Sequence, residues 1–144
     1  MTASLPYSTA YDPPCPVLTL RVAAPRRADG VALVGLVDTG ADMTLIPETL
    51  GRSLGLPVVS RLGITGVTGI AERADVVAAT IELAGRRVLA EVVAFGDETI
   101  VGRDLLNRLM LRLDGPGRRL EVDASKTDRR RAPISRAGRP RRPR

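Results

Sequence analysis

The sequence predicts an all-β domain with one or two short helices. Apolar residues make up 44 % of the chain but aromatic residues only 2 %, so the core must be built mainly from Val, Leu, Ile and Ala. Such a composition favours strands. The apolar runs are also short and are separated by turns that contain Gly or Pro, which is typical of β-sheet proteins. At 144 residues, one domain with a substantial core is expected.

The first half of the chain gives the clearest element signals. Residues 17–23 and 31–37 (VALVGLV) form two strands around a turn at Asp29-Gly30, and the second should be central because it is apolar on both faces. Residues 47–54 suit a short helix with Pro at an early position. Strands at 58–64 and 70–81 flank a glycine-containing tip, which predicts a mobile hairpin.

The second half repeats this pattern. Gly85 makes a turn between strands at 78–83 and 86–95, and a short strand ends at residue 102. Residues 103–110 then place Leu105, Leu106 and Leu109 on one helical face. A strand at 111–113, a Gly-Pro-Gly turn and a strand at 120–122 follow.

The two ends of the chain differ in composition from this unit. Residues 1–16 are rich in Pro, Ser and Thr and are expected to form a flexible or extended leader, so the folded domain is predicted at 17–123. The net charge of +6 belongs to residues 124–144, which hold 8 Arg and 1 Lys against 1 Asp. Residues 1–123 have 13 Arg against 9 Asp and 6 Glu. The tail therefore has the composition of a disordered segment.

This basic tail has three interpretations. It can be a solubilising extension, a segment that attaches non-specifically to nucleic acid or another anionic partner, or a piece that the protein itself removes. No aromatic residue is interleaved for base stacking, so sequence-specific binding is not expected.

Residue counts exclude several functional classes. The chain has no His and only Cys15, so a His-based triad, a Cys–His dyad, a conventional zinc site and an intrachain disulfide are all excluded. Acid–base chemistry falls to Asp and Glu, and we expect neither a metal nor a cofactor. No signal pattern is seen and no apolar run approaches the roughly 18 residues that span a bilayer, so we expect a cytoplasmic protein.

One carboxylate stands out by its position. The buried strand at 31–37 runs directly into Asp38-Thr39-Gly40, and residues 44–46 (TLI) then return to an apolar path. Asp-Thr-Gly alone is an ordinary turn sequence. An acid at the end of a buried strand is nevertheless costly unless it is hydrogen-bonded or shares its charge with a partner. Asp38 is therefore either a satisfied turn residue or a chemical group.

Three motifs resemble those of the retropepsins, the retroviral-type aspartic proteases. Residues 36–42 (LVDTGAD) match the family's catalytic element, and residues 64–69 (ITGVTG) are similar to its flap tip. Residues 100–106 (IVGRDLL) resemble the element that precedes its C-terminal helix. The motifs occur in the family's order over about residues 17–114. The resemblance implies an acid-protease half-barrel that is active as a symmetric homodimer, since the chain has only one such Asp-Thr-Gly triplet.

The resemblance also implies roles for individual residues. Asp38, Thr39 and Gly40 would be the catalytic triplet, with Thr39 joining the two active-site loops across the dimer. The substrate would be bound by four residues: Asp42, Gly66, Val67 through its backbone N–H, and Ile100. Ala41, Gly102 and Arg103 would support the site, Arg103 by pairing with Asp42. Arg103 as a solvated cation and Ile100 as plain core remain alternatives.

The chain departs from the retroviral pattern in three places. A helix-like segment enlarges the stretch between catalytic loop and flap, threonines replace two flap glycines, and a further strand follows residue 113. An endopeptidase acting on extended peptides or proteins with apolar residues around the cut is the favoured function. A module of this fold that binds peptides or dimerises with little hydrolysis is the alternative, and a nucleic-acid-binding β domain is a distant third.

Overall fold

The structure, a computed structural model, describes residues 2–123. These residues form ten strands and two short helices. The strands are β1 (Thr2–Pro6), β2 (Val17–Ala23), β3 (Val31–Val37), β4 (Leu45–Ile46), β5 (Val58–Thr65), β6 (Ala71–Leu83), β7 (Arg86–Ala94), β8 (Ile100–Val101), β9 (Met110–Asp114) and β10 (Arg119–Asp123). The helices are α1 (Glu48–Ser53) and α2 (Arg103–Leu106). The predicted mostly-β class with short helices is thus confirmed.

Seven strands form one curved sheet in the order β2-β3-β8-β4-β7-β6-β5. Strand β6 has 13 residues and pairs along one edge with two different strands. Its first half pairs with β5, and its last residues, Thr80 to Leu83, pair with β2. The pairing of β2 with β6 closes the sheet on itself. Its inward-facing side chains form the main core, which includes Leu20, Val22, Ile46, Ile81, Val92 and Val101.

Strand β3 is internal in the sheet order, as the sequence predicts, but only one of its faces is covered. Gly35 lies so close to its neighbour that a Cβ there would be 2.7 Å from the Val101 side chain. On the opposite face Val34 is 62 % exposed. The expectation that both faces of β3 are buried is therefore not met within residues 2–123. A single curved sheet covers only its concave side.

A second sheet of three strands has the order β1-β10-β9. Strand β1 lies inside the segment 1–16, which the sequence predicted as a flexible or extended leader, and its five residues pair with β10. The structure corrects the flexible interpretation for residues 2–6. The signal is the alternation of Ala3 and Leu5, which point to the apolar side of the sheet, where Leu5 packs against the core. A strand of five residues that ends in Pro shows too few alternations to be distinguished from a loop by its sequence.

Both helices are close to where they were predicted. Pro47 precedes the first residue of α1, which is where its fixed φ is best tolerated. Helix α2 ends at Leu106 rather than at residue 110. Beyond Leu106, the N–H groups of Arg108 and Leu109 bond the carbonyls three residues earlier, those of Leu105 and Leu106, instead of four residues earlier as in an α-helix. Within residues 2–123, neither helix has the length and apolarity that crossing a bilayer requires. The predicted basic tail, residues 124–144, lies outside the described part of the chain.

Candidate active site

Asp38 is the first residue after β3, and neighbouring backbone fixes its position. Strands β3 and β8 run parallel, and the Asp38 N–H donates to the Val101 carbonyl at 3.1 Å. The chain then turns sharply, with the Ala41 N–H donating to the Asp38 carbonyl at 3.2 Å. The Gly40 N–H donates to Oδ1 of Asp38 at 2.8 Å. One carboxylate oxygen is thus held by the turn itself.

Glycine at position 40 lets the backbone of the turn lie close to the Asp38 carboxylate. A Cβ on Gly40 would lie 3.1 Å from Oδ1 of Asp38, the atom that the Gly40 N–H binds. Contacts this short force the neighbour to move. Any larger residue at this position would therefore displace the carboxylate.

The Asp38 side chain is half-buried and carries no ion pair. No Lys or Arg among residues 2–123 forms a salt bridge with it. In the same part of the chain, no cluster of three or more His, Cys, Asp or Glu side chains is arranged to hold a metal ion. The carboxylate therefore has a hydrogen-bonded oxygen and an open side.

The junction between β8 and α2 packs directly against the Asp38 loop, residues 38–43. A Cβ on Gly102 would lie 2.7 Å from both the backbone carbon and the carbonyl oxygen of Met43, and 3.0 Å from the Ala41 carbonyl. The next residue, Arg103, donates its N–H to that same Ala41 carbonyl at 2.9 Å. Only glycine allows this backbone-to-backbone approach. Ala41 and Gly102 thus meet in the structure, where the sequence predicted support of the site.

Arg103 joins both ends of the loop. Its Nη1 donates to the Thr39 carbonyl at 2.9 Å. Its Nη2 forms an ion pair with the Asp42 carboxylate, which is the pairing expected from the sequence. The alternative of a solvated cation at a helix start does not describe these contacts. The guanidinium spans the Asp38 loop from Thr39 to Asp42.

Two further residues connect loop and helix, and the sequence analysis missed both. The Thr44 hydroxyl donates to Oδ1 of Asp104 at 2.8 Å, and the Thr44 N–H donates to Oδ2 at 3.1 Å. The same hydroxyl accepts the Gly102 N–H at 3.1 Å. Thr44 is fully buried. The available signal was a lone hydroxyl residue in an apolar path, together with an acid in the first turn of a helix.

The predicted flap is the β5–β6 hairpin. Its tip is a four-residue turn closed by a bond from the Gly69 N–H to the Gly66 carbonyl at 3.0 Å, and Gly69 has a positive φ of 74°. Val67 is fully exposed, and nothing lies within 4 Å of a Cβ at Gly66. No hydrogen bond within residues 2–123 joins this tip to the Asp38 loop. The tip is therefore free in the single chain.

Ile100 lies between the core and the surface beside the strand that carries Asp38. It lies in β8, paired with Leu36 of β3 on one side and with Leu45 of β4 on the other, and its side chain is half-buried. Leu36 is two residues before Asp38. Ile100 thus lies beside the strand that carries the acid, and both the subsite and the core interpretations fit its exposure.

Comparison with known proteins decides the family. The family model described as aspartyl protease matches residues 24–114, which include the Asp38 loop, the flap and the β8–α2 junction. The chain belongs to the aspartyl protease family. The resemblance to retropepsins predicted from the three motifs is thereby confirmed. No curated protein matches this aspartyl protease sequence.

Solved structures support the fold of this aspartyl protease domain. A retropepsin-like aspartic protease from Rickettsia conorii superposes with a TM-score of 0.56 at 16 % identity, over 85 % of this chain and 91 % of that one. The EIAV protease, solved with an inhibitor, gives a TM-score of 0.53 at 23 % identity, over 72 % of this chain and 92 % of that one. At these identities the matches show the fold, which is the predicted retropepsin half.

Proposed function

We propose that this protein is an aspartic endopeptidase in which two Asp38 carboxylates, one from each subunit of a homodimer, activate a water molecule. The observation that supports this most is the state of Asp38 itself. It lies at the end of a core strand with one oxygen fixed by Gly40 at 2.8 Å and no cation paired with it among residues 2–123.

The chemistry follows from two adjacent carboxyl groups. Two acids a few ångström apart cannot both ionise, so they share one proton, which is the established behaviour of aspartic proteases. The ionised carboxylate takes a proton from water while the oxygen of that water bonds to the peptide carbonyl carbon. The protonated carboxyl group donates its proton to the carbonyl oxygen. Collapse of the resulting tetrahedral species, with a proton passing to nitrogen, breaks the C–N bond.

A second copy of the chain supplies the second acid. Among residues 2–123, Asp38 is the only acid that directly follows a core strand and precedes a Thr-Gly pair. A two-fold axis beside Asp38 brings in the identical residue of the partner. The monomer is therefore inactive in this proposal, and cleavage depends on dimerisation.

The surrounding residues position the loop and the substrate. Arg103 fixes the Thr39 carbonyl and Asp42, so the catalytic turn cannot move independently of α2. In this proposal, Asp42 and the Val67 backbone N–H bind the main chain of an extended peptide or protein. Ile100 offers an apolar contact beside Asp38. We expect apolar residues around the cleaved bond.

The test is cleavage of a denatured protein between acidic and neutral pH. We expect Asp38→Asn to abolish cleavage and the matched variant Asp97→Asn, at an exposed carboxylate far from the loop in sequence, to retain it. Equal cleavage by wild type and Asp38→Asn would remove Asp38 from the mechanism. Peptide binding by the wild type without cleavage would favour the alternative of a binding or dimerisation module.

A further inference from the structure

The side chains around the start of β8 alternate between the core and the opposite face of the sheet. A Cβ on Gly35 would lie 2.7 Å from the Val101 side chain and 3.0 Å from that of Thr99, so both of these side chains point to the core side. Both residues are buried. Because the side chains of an extended chain alternate, Glu98 and Ile100 point to the opposite face. Glu98 is exposed there.

Asp38 follows on the same opposite face. Gly35 lies on the core side of β3, so its neighbours Val34 and Leu36 point the other way. Val34 is 62 % exposed there. Asp38 is the next residue in this alternation after Leu36. A ligand that reaches the open side of the Asp38 carboxylate would therefore lie along this face.

The pairing of β3 with β8 gives the distance between Glu98 and Asp38. The two strands are parallel, with Leu36 level with Ile100, and the Leu36 N–H donates to the Thr99 carbonyl at 2.9 Å. The same register, continued back by two residues, places Glu98 level with the residue four before Asp38. Since a strand rises about 3.3 Å per residue, Glu98 lies about 13 Å from Asp38 along the sheet.

An apolar cluster joins the Asp38 loop to the flap hairpin. Its partly buried members are Met43, Leu45, Leu62, Ile64 and Phe95. Leu45 also pairs with Ile100, which ties this cluster to the face that Glu98 shares. The surface nearest to Asp38 is therefore apolar, which agrees with apolar residues around the cleaved bond. Glu98 lies farther out.

The Glu98 carboxylate forms no ion pair with any residue in the range 2–123. Two arginines near this face already have partners. Arg103 pairs with Asp42, and Arg21 of β2 donates to the Gly30 carbonyl at 2.7 Å. An exposed carboxylate without an internal cation attracts a cationic group of a bound ligand.

We propose that Glu98 selects substrates with an Arg or Lys side chain about three or four residues from the cleaved bond. The inference rests on the proposed protease function and names the substrate class of that site. An extended peptide advances about 3.3 Å per residue, so the distance of about 13 Å from Asp38 sets this position. In the proposed dimer, the two-fold axis puts one Glu98 on each side of the cut, so a basic residue is favoured on either side.

Peptide binding by full-length Asp38→Asn measures recognition without hydrolysis. The probes are three fluorescent peptides that share one apolar centre and carry Arg, Gln or Glu at the third and fourth residues on either side of it. We expect the Arg peptide to bind about 3–5-fold more tightly than the Gln peptide in fluorescence anisotropy, because exposed ion pairs contribute little more. Salt at about 0.5 M should reduce this difference by screening the charges.

Charge changes at position 98 identify the residue responsible. In the Asp38→Asn background, Glu98→Gln should remove the preference, and Glu98→Lys should reverse it in favour of the Glu peptide. Asp97→Asn is the matched control, because it removes the neighbouring exposed carboxylate and keeps Glu98. Circular dichroism checks that each variant is folded. A preference that is unchanged in Glu98→Gln, or lost equally in Asp97→Asn, would overturn the proposal.

The cleavage sites in a proteome-derived peptide library separate this inference from the protease function. Wild type should enrich Arg and Lys about three or four residues from the cut, and Glu98→Gln should cut the same library without that enrichment. Cleavage by wild type with no such enrichment would remove the role of Glu98 and leave the protease function standing. Preferential binding of the Arg peptide by a protein that cleaves nothing would do the reverse.

Discussion

The Thr44 hydroxyl lies 2.8 Å from the Asp104 carboxylate, although the two residues are 60 positions apart in the chain. Thr44 directly follows the Asp38 loop, and Asp104 is in the first turn of α2. The same hydroxyl accepts the Gly102 N–H. One buried oxygen therefore joins the loop, the glycine contact and the helix.

Thr44→Val should destabilise the protein because it removes this oxygen while keeping the shape of the side chain. The buried Gly102 N–H would lose its acceptor, which costs about 1–3 kcal/mol. Thr44→Ser is the control, since it keeps the hydroxyl. Urea unfolding at one fixed protein concentration measures the difference, because the proposed dimer would make stability concentration-dependent. A Val variant as stable as the wild type would show that the network contributes nothing.

Gly102→Ala should be poorly tolerated because the added Cβ would lie 2.7 Å from the Met43 backbone. Relief of this contact requires the Asp38 loop and α2 to move apart, and overpacking of this kind costs about 1–3 kcal/mol. Gly63→Ala is the matched control, since nothing lies within 4 Å of a Cβ there and no positive φ is required. We expect a lower thermal unfolding temperature for position 102 alone. Similar temperatures for the two variants would refute the close contact.

Arg103→Met should reduce activity far more than stability. The Arg103 and Asp42 side chains are 45 % and 83 % exposed, so the ion pair adds less than about 1 kcal/mol to folding. The lost bond to the Thr39 carbonyl, however, releases the loop that carries the proposed catalytic Asp38. Arg52→Met removes an exposed ion pair elsewhere and should leave kcat/KM unchanged. Parallel urea unfolding and peptide cleavage separate the two effects, and equal activity of both variants would contradict the positioning role.

Val67→Pro tests whether the flap binds substrate through its backbone. Val67 is the second residue of the turn closed by Gly66 and Gly69, a position where Pro is favoured. The substitution keeps the turn but removes the N–H. If that N–H binds substrate, kcat/KM should fall about 3–10-fold, the equivalent of one hydrogen bond of about 1 kcal/mol. Val67→Ala keeps the N–H and should have little effect, so a comparable loss in both would instead implicate the side chain.

Local sequence signals were sufficient for the strands and for the acid. Alternation and turn residues predicted β2, β3 and the two hairpins near their observed positions, and the order of motifs predicted the family. Strand β1 and the end of α2 were predicted less well. A five-residue strand has too few alternations to stand out in the sequence. The end of α2 depends on two backbone hydrogen bonds, from the N–H groups of Arg108 and Leu109 to the carbonyls three residues earlier, and the residue types at these positions do not predict such bonds.

The contacts that hold the site together were only partly predictable. Pairing of Asp42 with Arg103 was expected from the motifs, but the Thr39 carbonyl as a second acceptor and the Thr44–Asp104 bond were not. A side-chain bond between residues far apart in the chain leaves no periodic signal. Its formation depends on which strands are neighbours, and that is decided when β8 inserts between β3 and β4.

The sequence by itself restricted acid–base chemistry to Asp and Glu, because the chain has no His and only one Cys, and it singled out Asp38 through the one Asp-Thr-Gly triplet that follows an apolar strand. It also determined most strands, because apolar periodicity is a local property. Only the tertiary structure decided how the acid is held. Gly102 lies against the backbone of the Asp38 loop, Arg103 binds two residues within that loop, and Asp104 binds Thr44 at its end. Among residues 2–123, β9 is left as an open edge. Each of these features depends on the packing of segments that are distant in sequence.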